Sequence, residues 1–348
     1  MSTSAGLEVE VRDPDRGVDV SFVVPGGQTT ALLGPNGTGK STVLATIAGV
    51  HRPAGSSVLL DGRRLDHLPP HRRRVALLSQ DPLLLPHLSA LDDVAFGPRA
   101  GGASRRAARA SAARWLERVG AGHLADRRPG TLSGGQAARV ALARALAAEP
   151  DAVLLDEPLS ALDVDAAPQV RHVLREVLRG RTAVVVTHDV VDAALLADHA
   201  VVVDGGRVVE QGPVRDLVSA PRSPFAARLA GVNLVSGVLG PPGELRTSGG
   251  VLHGLPVDAP EGTRAVATFR PETVAVHRRP PGGSPRNVVA GTVVSVEPSG
   301  SAARLRATTD LGALVADLTP AAVADLGLGP GETVHLVVKA AAVRLDTV

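Results

Sequence analysis

Residues 34–41, which read GPNGTGKS, constrain the fold more than any other part of this 348-residue chain. Glycines at positions 34, 37 and 39 permit a tight turn that brings backbone N–H groups close to an anion. An apolar run, Thr29–Leu33, precedes the segment, and a helical pattern, Ser41–Ala48, follows it. Strand, glycine-rich loop and helix in this order predict a phosphate-binding loop beside the positive end of a helix.

Short apolar runs alternate with helical patterns through residue 230, which favours a mostly parallel α/β domain over residues 1–230. The strands are predicted at Val18–Val24, Thr29–Leu33, Val75–Leu78, Val153–Leu155 and Ala183–Val186. The later helices are predicted at Ser104–Val119, Gln136–Ala148 and Ala167–Leu178.

Residues 231–348 have a different composition, because Gly/Pro clusters separate short β-type runs. Such spacing predicts a small all-β barrel as a second domain. Its strands are predicted at Ala265–Thr268, Thr273–Val276, Val288–Val296, Ala303–Ala307 and Val334–Val338. Asn233–Gly237 and Asn287–Gly291 are also alike, which indicates a faint internal repeat.

Composition excludes several kinds of protein. The chain has no cysteine, so disulfides and thiolate metal sites are ruled out. Residues 1–10 lack the basic start and apolar stretch of a signal peptide, and we expect none. No run reaches the roughly 18 apolar residues of a membrane helix. Only two lysines occur, and one of them, Lys40, lies in the glycine-rich loop while the other is Lys339.

Further polar motifs follow predicted strands and loops. Asp156 and Glu157 end the buried strand at Val153–Leu155, and His188 follows the strand at Ala183–Val186. With the phosphate loop present, Asp156 is the expected partner of Mg²⁺ and Glu157 is the expected general base. Gln80 follows another short strand, and LSGGQ at residues 132–136 opens a helix.

Taken in order, these motifs resemble the ATPase subunit of an ABC transporter. The resemblance implies an α/β P-loop NTPase with a RecA-like core and a helical subdomain. It implies Mg²⁺ ligation by Ser41, Gln80 and Asp156, and hydrolysis by Glu157 with His188 and Gln80. The implied ATP-binding residues are Gly34, Pro35, Asn36, Gly37, Thr38, Gly39, Lys40, Ser41 and Thr42.

The same resemblance implies a homodimer. Ser133, Gly134, Gly135 and Gln136 form a second anion site, which in this family meets the ATP of the opposite subunit. A loop that runs along the dimer interface is implied at Ser160, Ala161, Leu162 and Asp163.

One departure from the family pattern concerns the nucleotide base. Relatives place an aromatic ring near position 16 or 17, whereas this chain has Arg16-Gly17. Two alternatives remain: the Arg16 guanidinium plane stacks on the base in place of a ring, or no side chain stacks there. We therefore predict weak discrimination between ATP and GTP.

The second domain resembles an OB-like TOBE domain of the molybdate-binding (Mop) type, over about residues 284–345. Phe269-Arg-Pro-Glu272 and Ser284-Pro-Arg-Asn287 carry this resemblance. It implies that molybdate or tungstate acts as a regulatory ligand at Ser284, Arg286, Asn287 and Lys339. Pro285 removes one backbone N–H from this segment.

These resemblances imply the ATPase of a molybdate or tungstate importer on the cytoplasmic side of the membrane. Its partners would be two integral-membrane permease subunits and, indirectly, a periplasmic or extracellular solute-binding protein, with no nucleic acid. The segment from Gln80 to Phe96 is the expected docking surface for the permeases. Importers of sulfate, ferric iron, polyamines or sugars are alternatives, as are a soluble non-transport ABC ATPase and an oxyanion sensor.

Overall fold

The computed structural model describes residues 6–162 and 166–348, and the chain divides into two compact units at Arg215/Asp216. The sequence places the boundary later, at residue 230. The helix Pro224–Ala230 packs on the strand Asn233–Leu239, so it groups with the second unit. No helix in these described ranges is long and apolar enough to cross a membrane.

The strands and helices of the first unit match the predicted alternation. Its strands are β1 (Leu7–Asp13), β2 (Val18–Val24), β3 (Thr29–Leu33), β4 (Ser57–Leu60), β5 (Arg63–Arg64), β6 (Val75–Leu78), β7 (Ala152–Asp156), β8 (Thr182–Val186), β9 (His199–Asp204) and β10 (Arg207–Pro213). Its helices are α1 (Lys40–Ala48), α2 (Pro70–Arg73), α3 (Ala90–Val94), α4 (Phe96–Ala100), α5 (Arg105–Arg118), α6 (Gly134–Ala147), α7 (Ala166–Leu178) and α8 (Val190–Leu196), and α9 (Val214–Ser219) spans the boundary.

A six-stranded sheet with the order β10-β9-β3-β8-β7-β6 forms the centre of this unit. Its strands are parallel except β10, which runs antiparallel to β9. Strands β3 and β8 are buried along their whole length, which explains their continuous apolar sequences. The carboxyl ends of β3, β6, β7 and β8 therefore lie at one edge, where α/β proteins bind ligands.

A second, antiparallel sheet with the order β2-β1-β4-β5 packs over α1. Val43, Leu44 and Ile47 of α1 join the inner faces of both sheets in one core. A separate core unites α3, α5 and α6, to which α5 contributes Ala108 and Ala112, one helical turn apart. The predicted RecA-like core with a helical subdomain is confirmed.

The second unit consists mainly of β-strands. It contains α10 (Pro224–Ala230), β11 (Asn233–Leu239), β12 (Glu244–Thr247), β13 (Gly250–His253), β14 (Arg264–Phe269), β15 (Val274–His277), β16 (Asn287–Ser299), β17 (Ala302–Thr309), β18 (Gly312–Leu318), α11 (Pro320–Leu326), β19 (Thr333–Val338) and β20 (Arg344–Thr347). Its two five-stranded sheets have matching orders, β13-β12-β11-β14-β20 and β18-β17-β16-β19-β15. The expectation of an all-β second domain is confirmed.

These matching orders show that the second unit is built from two similar halves. The first half comprises β11–β15 and the second half β16–β20. Each half supplies its other four strands to its own sheet and one strand to the sheet of the other half: β20 pairs with β14, and β15 pairs with β19. The faint sequence repeat falls on the equivalent first strands, β11 and β16. Asn233 bonds the backbone N–H and C=O of Val315, and Asn287 bonds those of His253, in each case on the opposite sheet.

Candidate nucleotide site

The carboxyl ends of β3, β6, β7 and β8 surround a cavity of about 650 Å³. Its lining comprises Arg16, Asn36, Gly37, Gly39, Lys40, Ser41, Thr42, Gln80, Asp156, Glu157, Val186 and His188. The structure thus brings together the predicted catalytic groups and most of the predicted phosphate loop. Gly34, Pro35 and Thr38 belong to the same loop but are not among these lining residues.

Two positions of the loop require glycine, one because of a close backbone approach and one because of a positive φ. A Cβ at Gly34 would lie 2.0 Å from the Val203 carbonyl oxygen, and Gly39 has a φ of +96°. The Lys40 ammonium donates hydrogen bonds to the carbonyl oxygens of Gly34 (2.8 Å) and Pro35 (2.7 Å). Burial lowers the pKa of Lys40, and the nearby carboxylates of Glu157 and Asp156 oppose this shift. The loop therefore presents a fixed positive charge next to the first amides of α1.

The acidic pair at the end of β7 faces this charge. The Ser41 hydroxyl donates a hydrogen bond to Asp156 (2.9 Å), and burial raises the pKa of Asp156, although that bond opposes the rise. Glu157 has a φ of +50°, and its N–H donates to the Val186 carbonyl oxygen at 3.0 Å. The His188 Nδ1 lies 3.4 Å from a carboxylate oxygen of Glu157. This arrangement places a carboxylate and an imidazole together opposite the lysine.

Helix α8, which begins just after His188, is fixed by two carboxylates. Asp189 accepts hydrogen bonds from the N–H groups of Val191 (2.6 Å) and Asp192 (3.1 Å). Asp192 is buried and accepts a 2.7 Å bond from the Arg171 Nε on α7. Sequence reasoning missed this tether, because a single arginine in an amphipathic helix gives no signal that distinguishes it from a solvent-exposed one.

The LSGGQ residues lie at the start of α6 and do not line the cavity of their own chain. Ser133 and Gln136 form a reciprocal capping box, in which each side chain bonds the other's N–H. Ser133 and Gly134 are exposed, and Gly135 packs near the Ala161 carbonyl. In the loop predicted to lie at a dimer interface, the Ser160 hydroxyl donates to the Glu157 carbonyl oxygen (2.9 Å). Leu162 ends the described part of this loop, and Asp163 lies outside the described residues.

The residues predicted to bind an oxyanion separate into two kinds. Ser284, Arg286 and Lys339 are exposed, and Arg286 and Lys339 adjoin the last pair of the β16–β19 ladder, Asn287 with Val338. The backbone positions of Arg286 and Lys339 are therefore neighbours at the end of this ladder. Asn287 is buried, and its NH₂ group donates to the carbonyl oxygens of His253 (2.8 Å) and Val338 (3.1 Å). Both amide hydrogens are used, so Asn287 joins the two sheets and has no donor left for an anion.

Two family models match the chain in these regions. A model described as "ABC transporter" matches residues 18–160, and one described as "TOBE domain" matches residues 283–345. The first contains the phosphate loop and the acidic pair. The second contains the Arg286 and Lys339 positions.

Known proteins resemble the chain over most of its length. The molybdenum import ATP-binding protein ModC of Mycobacterium tuberculosis is 51% identical, over 97% of this chain and 96% of that protein. The molybdate/tungstate import ATP-binding protein WtpC of Pyrococcus horikoshii is 34% identical, over 94% of both chains. The spermidine/putrescine import ATP-binding protein PotA of Acidothermus cellulolyticus is 38% identical, over 91% of this chain and 85% of that protein.

The fold also resembles a solved structure. A dimeric post-hydrolysis state of the ATP-binding cassette MJ0796, bound to ADP and Pi, matches with a TM-score of 0.55 and 28% identity. The match covers 60% of this chain and 99% of that one.

Proposed function

Because the chain belongs to the ABC transporter family of ATP-binding proteins, we propose that it hydrolyses ATP to drive molybdate or tungstate import through separate membrane subunits. One observation carries this proposal: Lys40, the Asp156–Glu157 pair and His188 surround one cavity in a chain closely similar to a molybdenum import ATPase. A second candidate cargo is a polyamine, which is favoured only by the less similar spermidine/putrescine relative. In either case the subunit works at the cytoplasmic face of the membrane.

The catalytic step follows from the contacts in the cavity. Glu157 acts as general base and takes a proton from a water as that water attacks the γ-phosphorus, while the bond to the β–γ bridging oxygen breaks. His188, 3.4 Å from Glu157, orients the carboxylate and contacts the γ-phosphate. Lys40 and the loop amides bind the phosphates as charge moves to the leaving ADP. Gln80 positions the water from the end of β6.

The oxygen atoms around the phosphate loop suit Mg²⁺. Ser41, Asp156 and Gln80 offer hard oxygen ligands, and Ser41 and Asp156 lie within 2.9 Å of each other. Within residues 6–162 and 166–348 no group of three or more His, Asp or Glu could hold a metal alone. Mg²⁺ commonly shares its ligands with phosphate oxygens, so this set fits an ion that arrives with the nucleotide. When bound, the ion neutralises phosphate charge.

Dimerisation accounts for the LSGGQ residues. They place helix N–H groups and two glycines at an exposed helix start that is no part of their own chain's cavity. In a head-to-tail homodimer this start covers the ATP of the opposite subunit, and the loop at Ser160–Leu162 lies along the interface. Two shared sites then close with ATP and open after hydrolysis.

The membrane subunits dock on the loop that follows Gln80. Leu83 and Phe96 are exposed there, with 67% and 55% of their surface accessible. Arg144 holds the loop by donating to the Leu83 carbonyl oxygen (2.8 Å) and to buried Asp93 (3.2 Å). Leu84, the next residue in the loop, packs partly against the helical core. Leu83→Asp is therefore the sharper probe, and it should uncouple ATPase activity from transport without unfolding.

Arg286 and Lys339 would serve as the cationic part of a regulatory oxyanion site in the second unit. Their adjacency at the end of one ladder suits a dianion, and Ser284 adds a neutral donor. Calorimetric titration of molybdate, tungstate and sulfate tests this site, with Arg286→Ala as the variant and exposed Arg279→Ala as the matched control. Binding of molybdate or tungstate that is lost only in Arg286→Ala supports the site.

Transport itself is tested in cells that lack this chain, by uptake of labelled molybdate. The wild-type chain should restore uptake, whereas Glu157→Gln should bind ATP and restore none. Normal molybdate uptake without the chain, with loss of uptake of another solute, would refute the proposed cargo. That outcome would leave the ATPase assignment intact.

A further inference from the structure

His188 depends on its backbone for its position in the nucleotide site. Its side chain has 67% of its surface accessible, and its Nδ1 lies 3.4 Å from a carboxylate oxygen of Glu157. A second cavity, of about 130 Å³, also borders these two residues, together with Ser160. Because the imidazole adjoins two cavities, side-chain packing gives it little support. Its direction therefore follows the path of the chain from Thr187 to Asp189.

That part of the chain is joined firmly to helix α8. The Asp189 N–H donates to the Thr187 hydroxyl (3.1 Å), and this bond ties together the residues on either side of His188. The Asp189 carboxylate accepts from the N–H groups of Val191 (2.6 Å) and Asp192 (3.1 Å) in the first turn of α8. A shift of α8 is therefore passed directly to His188.

Helix α8 needs support from outside itself. It has seven residues, and a helix of that length has little stability of its own. Leu196 packs in the core, whereas Val191 and Leu195 are exposed. Asp192 is 7% exposed and accepts a 2.7 Å bond from the Arg171 Nε on α7. Burial raises the pKa of Asp192, and the bond to Arg171 opposes this rise.

Helix α7 is a firm support for this bond, because one of its faces is buried in the core. The buried side chains on that face are Val170, Val173, Leu174, Val177 and Leu178. The Arg171 side chain is itself only 24% exposed. Neither Arg171 nor Asp192 lines the nucleotide cavity. Any effect of the pair on catalysis must therefore pass through other residues.

We propose that Arg171 and Asp192 are positioning residues for His188. By holding α8 on α7, they keep the imidazole next to the Glu157 carboxylate. This inference rests on the proposed ATPase function and deepens it by naming residues that set the catalytic geometry from outside the cavity. The phosphate loop binds the nucleotide, and the pair does not belong to that loop. Loss of the pair should therefore slow hydrolysis without weakening ATP binding.

The first test separates kcat from ATP affinity in the full chain. Arg171→Gln should lower kcat by up to about a hundredfold, the loss expected when a catalytic group moves by about 1 Å, and leave equilibrium ATP binding unchanged. Arg171→Lys keeps the cation and should recover most of the rate. Arg175→Gln is the matched control, because Arg175 is exposed one turn further along α7. It should change neither quantity.

A double-mutant cycle with His188→Ala shows whether the pair acts through the histidine. In the His188→Ala background, Arg171→Gln should lower kcat little further. A loss of equal size in both backgrounds would overturn the proposal, as would wild-type kcat in Arg171→Gln alone. A parallel fall in ATP affinity would assign the pair to the fold of the cavity instead.

A variant without either charge separates positioning from a loss of folding. Arg171→Met/Asp192→Leu replaces the pair by apolar side chains of similar size, a change that often preserves stability. Its Tm, measured by scanning calorimetry, should stay close to that of the wild type. Its kcat should nevertheless be low, because the directional bond is gone. Wild-type kcat in this variant would contradict the positioning role.

An NMR measurement keeps this inference separable from the proposed function. The imidazole C–H signals of His188, identified by their loss in His188→Ala, should shift or broaden in Arg171→Met/Asp192→Leu and stay in place in Arg175→Gln. Unchanged His188 signals in the pair variant would refute the inference. A wild-type chain that binds ATP without hydrolysing it would contradict the proposed function, and the NMR measurement would still decide whether the pair positions His188.

Discussion

Arg73 gives the sharpest test of how the phosphate loop is supported, and the variant is Arg73→Met. The guanidinium is 1% exposed and donates to four backbone carbonyl oxygens. Those of Thr46 (2.8 Å) and Ile47 (2.9 Å) lie in the last turn of α1, and those of Leu68 (3.0 Å) and Asp66 (3.1 Å) lie in the preceding loop. Arg73 thus ties the far end of the helix that carries Lys40 to the adjoining chain.

The expected loss follows from these contacts. A hydrogen bond from a charged donor contributes about 1.5–3 kcal/mol net of desolvation. The four bonds of one guanidinium share a single desolvation cost, so their contributions do not add in full. Methionine fills a similar length, so Arg73→Met removes the donor without opening a large cavity. We therefore expect the free energy of unfolding to fall by about 3 kcal/mol. For a unit of this size that corresponds to a fall in Tm of about 6–12 °C.

Scanning calorimetry of the full chain measures this change in the transition of the first unit. Exposed Arg72→Met is the matched control and should stay within about 1 °C of wild type, because surface changes rarely exceed about 0.5 kcal/mol. A Tm for Arg73→Met within 2 °C of wild type would show that the four bonds add no net stability. The reasoning from buried hydrogen bonds would then be refuted.

Three more predictions follow from described contacts. Glu157→Gln should lower kcat, measured by phosphate release, by about 10²–10⁴-fold. ATP affinity, measured by equilibrium binding, should change little. A fall in kcat of less than tenfold would assign the general base to another residue. Gly39→Ala should weaken ATP at least about tenfold, because φ is +96° and the new methyl would meet Val18; unchanged titration curves would contradict this. Arg304 donates two hydrogen bonds to Asp317, of 2.8 and 2.7 Å, and these lower the pKa of Asp317. The pair therefore stabilises the second unit at pH values above the ordinary carboxyl pKa, near 3.9. This stabilisation is lost as the pH falls through the lower pKa that Asp317 has in the folded protein. Asp317→Asn should remove that part of the acid dependence of Tm, and an unaltered pH profile would count against the pair.

Sequence patterns predicted the catalytic end of the first unit well, because its strands are short, continuous and apolar. The strands Val18–Val24, Thr29–Leu33 and Val75–Leu78 were predicted with the observed bounds. The local order of strand, loop and helix also predicted the phosphate loop. Strand β1 was not predicted, although its burial alternates as a half-buried strand's does.

Long-range contacts could not be read in the same way. Arg73 stands in the run His71–Arg74, which resembles a solvated basic surface, yet Arg73 is buried. Its role depends on carbonyl groups that only the folded chain brings together. Asn287 is a second case: family resemblance suggested a ligand, whereas its side chain bonds His253 on the opposite sheet, a contact that the faint repeat with Asn233 did not predict.

The exchanged strands of the second unit have a consequence for how the protein is made. The first sheet begins at Asn233, but its edge is completed by β20, more than a hundred residues later. During synthesis the first half must therefore wait, with β14 unpaired on one side, until Arg344–Thr347 have left the ribosome. An unpaired strand edge is an aggregation hazard. The first sheet should therefore be most prone to edge-to-edge pairing with other chains between the synthesis of β14 and the synthesis of β20.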